Sequence, residues 1–279
     1  MSEAALRPAG VSPDVRLVRF QAVLRAAAQT RYYAPRLEAA ALREPWHGPD
    51  VTTAETALRR LPPTDLTSWL LRPDEFVNRQ ARPPSKTHLF FPGPRPCRTA
   101  LLRRWGRSAE FNLTSRLLAW FPPDLLVGSA RHLGRMAEAV QNQQCDPLRV
   151  NLAVVAWIGP EQGFLDEATR DLLWRTFQVP VFVQLVGPAG EILAWECEAH
   201  DGLHVESSQG ICEFSAGELL ITSLVSMRRP VLRLRTGLTG AVTDAPCPCG
   251  VSSQRLTDLR RRRIPEARVA VAGASAAAD

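Results

Sequence analysis

Two apolar runs, the first of them unbroken, separated by an amphipathic stretch constrain this chain more than any other feature. Leu152–Ile158 is apolar at every position, as a strand buried on both faces must be. Gly159-Pro160 ends the run, and Phe164–Phe177 then places Leu165, Ala168, Leu172 and Phe177 at helical spacing. Val179–Leu185 is a second apolar, β-branched strand. Strand, helix, strand over about 35 residues is a βαβ unit, with parallel strands and a right-handed crossover. The fold class is therefore α/β.

The rest of the chain is read around that unit. Val15–Leu42 is amphipathic, with Leu17, Phe20, Leu24, Ala27 and Ala28 on one side, and Pro35 divides it into two helical pieces. A short helical stretch covers Glu55–Leu61, and another, Leu66–Leu71, follows a cap at Thr64 or Asp65. Arg79–Cys97 carries five prolines and reads as a linker or remnant strand. Ala100–Leu118 and His132–Gln143 are expected to be helical. Ile192–Val242 reads as antiparallel β structure, with Pro230–Arg235 a half-buried strand of alternating character. This gives an N-terminal helical segment (1–80), an α/β core (81–190), a β-rich part (191–258) and a basic tail (259–279) expected to lack order.

Composition removes several functional classes. No apolar run approaches the roughly 20 residues of a membrane-spanning helix, and Met1–Gly10 has no apolar core of the secretory kind. Six cysteines in 279 residues are too few for a disulfide scaffold. A cytoplasmic protein with no membrane partner is expected. The net charge is +6, yet of 34 basic residues only Lys86 is lysine, a skew that follows GC-rich codon usage. Arg260–Arg263 could neutralise phosphates, but a solvated helix end leading into the tail is the preferred reading of the run, and specific nucleic-acid binding is not expected.

Several phrases then occur in order: Glu196-Cys197-Glu198-Ala199-His200-Asp201-Gly202-Leu203-His204-Val205, Gly217–Leu224, Arg233-Leu234-Arg235-Thr236-Gly237 and Cys247-Pro248-Cys249-Gly250. With Trp157-Ile158-Gly159-Pro160-Glu161 before them, and Pro122–Val140 and Gln21–Leu42 further upstream, the series resembles the phenylacetate–coenzyme A ligase family of adenylate-forming, AMP-binding enzymes. The resemblance implies a shortened N-domain: N-terminal helices, a mixed sheet core containing the βαβ unit, and an antiparallel β-rich C-terminal part. It implies a nucleotide site at Gly159, Glu161, Gly187, Arg235, Thr236 and Leu238.

At that site the sequence departs from the family. The phosphate-wrapping loop corresponds to Gln80–Pro96, where Gly93 lies between Pro92 and Pro94, and proline has no N–H to donate. The acid that helps hold magnesium corresponds to Gly187, with Glu191 four residues beyond. The aspartate that binds ribose hydroxyls corresponds to Leu238, and no lysine follows Lys86 to act from a C-terminal domain. The expectation is a ligase-like protein without adenylation activity, ATP or magnesium, acting in binding or regulation. Its partner would be a protein or a small aromatic or acyl acid. The alternative is an active acid–CoA ligase with a rearranged site.

Cys197, His204, Cys247 and Cys249 supply three thiolates and an imidazole, a tetrahedral structural-zinc set, and some members of the family carry this pattern. His200 competes with His204 for the fourth place. The plain alternative is a packed Cys197 beside a free, reduced Cys-Pro-Cys turn. Cys97, Cys145, Cys212, His47, His88 and His132 lack paired spacing, and the tryptophans Trp105, Trp120, Trp157, Trp174 and Trp195 are expected in the core.

Overall fold

The apolar runs form the strands expected of them. A computed structural model describes residues 13–42, 51–81, 98–102, 122–144 and 149–262. Strands β2 (Leu125–Ser129), β3 (Ala153–Ile158) and β4 (Val181–Val186) lie parallel, with β1 (Thr99–Leu102) parallel at the edge. Side chains alternate across the sheet. Leu126, Val154, Ala156, Val183 and Leu185 join the main core. Leu125, Val127, Ala153, Val155 and Phe182 form a second cluster with Trp157. Both faces are buried, which is why these runs carry no polar alternation.

Two helices cover the main-core face. The Ser129 hydroxyl accepts from His132 N–H at 3.2 Å and starts one, Ala130–Gln141, which buries Leu133, Met136 and Ala137. The Asp166 carboxylate accepts from Thr169 N–H at 2.8 Å and starts the other, Glu167–Phe177, which buries Leu173 and Phe177. In chain order these are α5 and α6, after α1 (Pro13–Ala28), α2 (Ala34–Ala39), α3 (Val51–Leu58) and α4 (Leu66–Leu71).

Beyond β4 the sheet continues but changes direction. Strands β5 (Ile192–Glu196), β6 (Leu203–Val205), β7 (Gly210–Ser215), β8 (Glu218–Ser223), β9 (Leu234–Thr243) and β10 (Arg255–Arg261) pair antiparallel. The order is β1-β2-β3-β4-β5-β6-β10-β9-β8-β7, a single sheet of ten strands. The pairing of β4 with β5 joins the parallel and antiparallel parts across residue 190.

Four expectations are corrected. Residues 100–102, placed at the start of a helix, lie in strand β1, because parallel pairing with buried β2 outweighs local propensity; 103–121 lie outside the described residues. Arg260 and Arg261, assigned to a tail without order, are paired with Thr239 and Leu238. Alternation within Pro230–Arg235 suggested a strand, but β9 begins at Leu234, and Arg233 takes a positive φ of 48°. Trp174 is also half exposed on α6 rather than in the core. Residues 82–97, which hold most of the proline-rich stretch, are outside the described residues.

The bend at 231–233 fastens the N-terminal helices to the sheet. The Tyr33 hydroxyl accepts from Leu232 N–H at 3.1 Å and bonds Thr64 Oγ1 at 3.0 Å; burial pushes its phenol well above the usual range. Arg233 is buried, holds Glu213 at 2.7 Å, and donates to the carbonyls of Arg59 and Leu61. A buried pair that loses one partner leaves an uncompensated charge. Arg233→Ala should therefore cost about 3–5 kcal/mol in chemical denaturation. Arg72→Ala, which removes the exposed pair with Glu75, should cost about 0–1 kcal/mol.

Candidate functional site

The two regions picked out by sequence lie in different parts of the sheet. Cys197 follows β5, His204 is in β6, and Cys247 and Cys249 stand in the loop between β9 and β10. Antiparallel pairing of β5 with β6, and of β6 with β10, carries all four side chains to one place. Their ligand atoms lie within 4.8 Å of one another. Cys197 Sγ is 3.6 Å from Cys247 Sγ, and Cys249 Sγ is 3.3 Å from His204 Nε2. A tetrahedron with Zn–S bonds of about 2.3 Å has S–S edges of about 3.8 Å, so the donors need little movement to close on an ion.

The surroundings support the same donor set. Ser253 Oγ lies 2.9 Å from His204 Nδ1; in the tautomer that carries its proton on Nδ1, the serine accepts it and the Nε2 lone pair faces the thiols. Trp195 stacks on the imidazole at 4.9 Å. Arg255 is buried and binds Asp201 Oδ2 at 2.6 Å and the Ala245 carbonyl at 3.1 Å, clasping the two loops that carry the cysteines. Burial pushes the Cys197 thiol up to about 12. Burial also raises Cys247, but hydrogen bonds from Cys249 and Cys197 and the charge of Arg255 outweigh it and hold that thiol below its usual value. His204 is lowered by burial and by Arg255, which favours the neutral, ligating imidazole. His200 points elsewhere: its Nδ1 is 3.1 Å from Glu196 Oε1 and its ring stacks on Phe182. Cys212 is apart from the cluster, and Cys97 and Cys145 lie outside the described residues.

Of the six positions matched to the nucleotide site, four line one cleft of ≈640 Å³: Gly159, Arg235, Thr236 and Leu238. Gly159, at φ 148°, is confined to glycine because a Cβ would sit 2.6 Å from the Val186 carbonyl oxygen. Leu238 is buried, and its N–H bonds the Thr236 hydroxyl at 3.1 Å. Glu161 is turned toward α4, accepting from Trp69 Nε1 at 3.3 Å, with Arg229 3.7 Å away.

The sixth position revises an expectation. Glu191, four residues beyond Gly187 in sequence, is brought back beside it by the turn: Gly187 N–H bonds the Glu191 carbonyl at 2.8 Å. A Cβ on Gly187 would fall 2.3 Å from Glu191 Oε1, so the carboxyl occupies the volume that a side chain at 187 would use. It is buried, and among the described residues Oε1 has no hydrogen-bond partner. Burial raises its pKa against the lowering effect of the Ser223 hydroxyl. Sequence reading passed over Arg131 and Glu218 as site residues and assigned Arg261 and Arg262 to a solvated basic run; all four line the same cleft. Glu218 stood inside a recognised phrase, but its buried grip on Arg235 (2.5 Å) and Arg262 (2.6 Å) depends on pairings with no sequence signature.

No family model matches the chain, and no curated protein matches it. Among solved structures the fold is similar to that of an acyl-CoA ligase. One neighbour is 2-hydroxyisobutyryl-CoA ligase in the postadenylation state with R3-HIB-AMP. Their identity is 14% over 94% of this chain and 73% of that one, with a TM-score of 0.64. Another is an open conformation of 2-hydroxyisobutyryl-CoA ligase with 2-HIB-AMP and CoA, at 15% identity, 94% and 75% coverage, and a TM-score of 0.62. Among the described residues no helix is long and apolar enough to cross a membrane.

Two predictions follow from this geometry. Elemental analysis of protein purified without chelator should give about one zinc per chain. Cys249→Ser and His204→Ala should lower that content, while His200→Ala and Cys212→Ser leave it unchanged. Glu191 has a raised folded-state pKa, so the folded state binds the extra proton above the ordinary glutamate value. Stability should therefore fall as pH rises from about 4.5 through the folded-state pKa. Glu191→Gln should flatten that slope in denaturation curves taken from pH 4.5 to 8.

Proposed function

We propose that this chain is a phenylacetate–CoA ligase-like protein of the AMP-binding superfamily that has lost adenylation and acts by binding a small acid or a protein partner. The observation that carries the reading is Leu238. It is buried on the wall of the cleft, where the resembled family presents a carboxylate to ribose. A buried ribose with no acceptor would cost about 1–3 kcal/mol for each unpaired hydroxyl. The proline-rich stretch at 80–96 points the same way, since its prolines offer no N–H to a triphosphate. In this reading ATP and magnesium have no role.

The reading includes a structural zinc held by Cys197, His204, Cys247 and Cys249. Four protein ligands leave no position for a reactive water, so the ion's work is to tie β5–β6 to the loop before β10. Reduced thiolates suit a cytoplasmic location.

One observation favours a second reading, an active ATP-dependent aryl- or acyl-acid–CoA ligase with a rearranged site. Glu191 fills the space beside Gly187 and would provide there the carboxylate missing from position 187. Acid-dependent ATP–pyrophosphate exchange separates the two. With a panel of aryl and short acyl acids, wild-type protein should give no exchange above the no-acid blank. Exchange that is present in wild type and lost in Glu191→Gln would replace the first reading with the second.

A further inference from the structure

Four arginines, Arg131, Arg235, Arg261 and Arg262, line the ≈640 Å³ cleft, against two carboxylates, Asp65 and Glu218. The carboxylates are already engaged. Glu218 Oε2 takes both Arg235 and Arg262, and its Oε1 accepts from Gly237 N–H at 3.2 Å. Asp65 accepts from Ser68 N–H at 2.8 Å as the cap of α4. Arg131 and Arg261 meet no carboxylate among the described residues.

These two cations arrive from different elements. Arg131 is the second residue of α5, so the partial positive charge of that helix N-terminus adds to its own. It lies over the 159–163 turn: a Cβ on Gly163 would be 3.5 Å from Arg131 Cβ and 3.9 Å from its Nε. Arg261 comes from β10, where it pairs with Leu238. Like charges held in one cleft repel unless an anion lies between them, and guanidinium forks match the oxygens of a phosphate. The Leu238 side chain on the adjoining wall is apolar and accepts no hydrogen bond from a sugar hydroxyl.

We infer that this cleft binds a small dianionic phosphate ester through Arg131 and Arg261, with no energetic contribution from a nucleoside. The inference rests on the proposed reading of this cleft as the ligand site, and it names the ligand class. Because the interaction is charge on charge in an open cleft, affinity falls as salt rises.

Calorimetric titration of the full chain with ribose 5-phosphate, AMP and adenosine tests it. Ribose 5-phosphate and AMP should bind within about threefold of each other, and adenosine should give no heat. The Arg131→Ala/Arg261→Ala variant, which changes two exposed side chains, should keep the wild-type melting temperature and lose about tenfold or more in affinity for both esters. Arg31→Ala/Arg149→Ala, with the same net charge but changes away from the cleft, should bind like wild type. The inference is overturned if wild type binds neither ester, or if the two double variants bind alike; the proposed function survives either result. AMP binding about tenfold tighter than ribose 5-phosphate would overturn it too, and would take the non-adenylating reading with it.

Discussion

Between Val186 and Ile192 the sheet changes from parallel to antiparallel, and both candidate sites depend on that turn. Gly187 and Gly190 close it with backbone hydrogen bonds, and Glu191 folds back against Gly187. On one side, parallel strands end at the 159–163 turn and α5, which form one wall of the arginine cleft. On the other, β5 runs antiparallel to β4 and delivers Cys197 to the metal-ligand cluster. A turn of another length would shift β5 in register, and a shift of one residue would move every side chain of that strand to the opposite face.

The cleft and the cysteine cluster have different kinds of support. The cluster is held by buried contacts: Trp195 on His204, Ser253 on its far nitrogen, and Arg255 across two loops. The cleft is held by charge. Glu218 is buried beneath two arginines, and removing it would leave Arg235 and Arg262 without their shared carboxylate.

Much of the fold was legible in the sequence because burial on both faces writes an unmistakable pattern. Leu152–Ile158 and Val179–Leu185 could be little other than central strands, and the ordered cysteines and histidines located the cluster before any geometry was known. The sequence reading placed His204 in the set with His200 as its competitor, and the β5–β6 register, which periodicity does not encode, separates the two. The 99–102 strand was hidden because four residues are too short to show a period, and Arg260–Arg261 because a run of arginines looks like a solvated end. Arg131 and Arg261 were invisible as a pair: they are 130 positions apart, and only the sheet order places them on one cleft. Glu191 was noticed but misjudged, since distance along the chain is a poor guide across a tight turn.

The central claim is that this cleft attracts phosphate by charge and no longer organises a nucleotide with its metal. The most direct measurement is the affinity for ATP, by calorimetry, with and without magnesium. Magnesium neutralises part of the triphosphate charge, so binding that rests on arginines alone should weaken when it is added, or stay unchanged. A gain of about tenfold on adding magnesium would mean that the protein itself coordinates the metal–nucleotide complex, and would contradict the account.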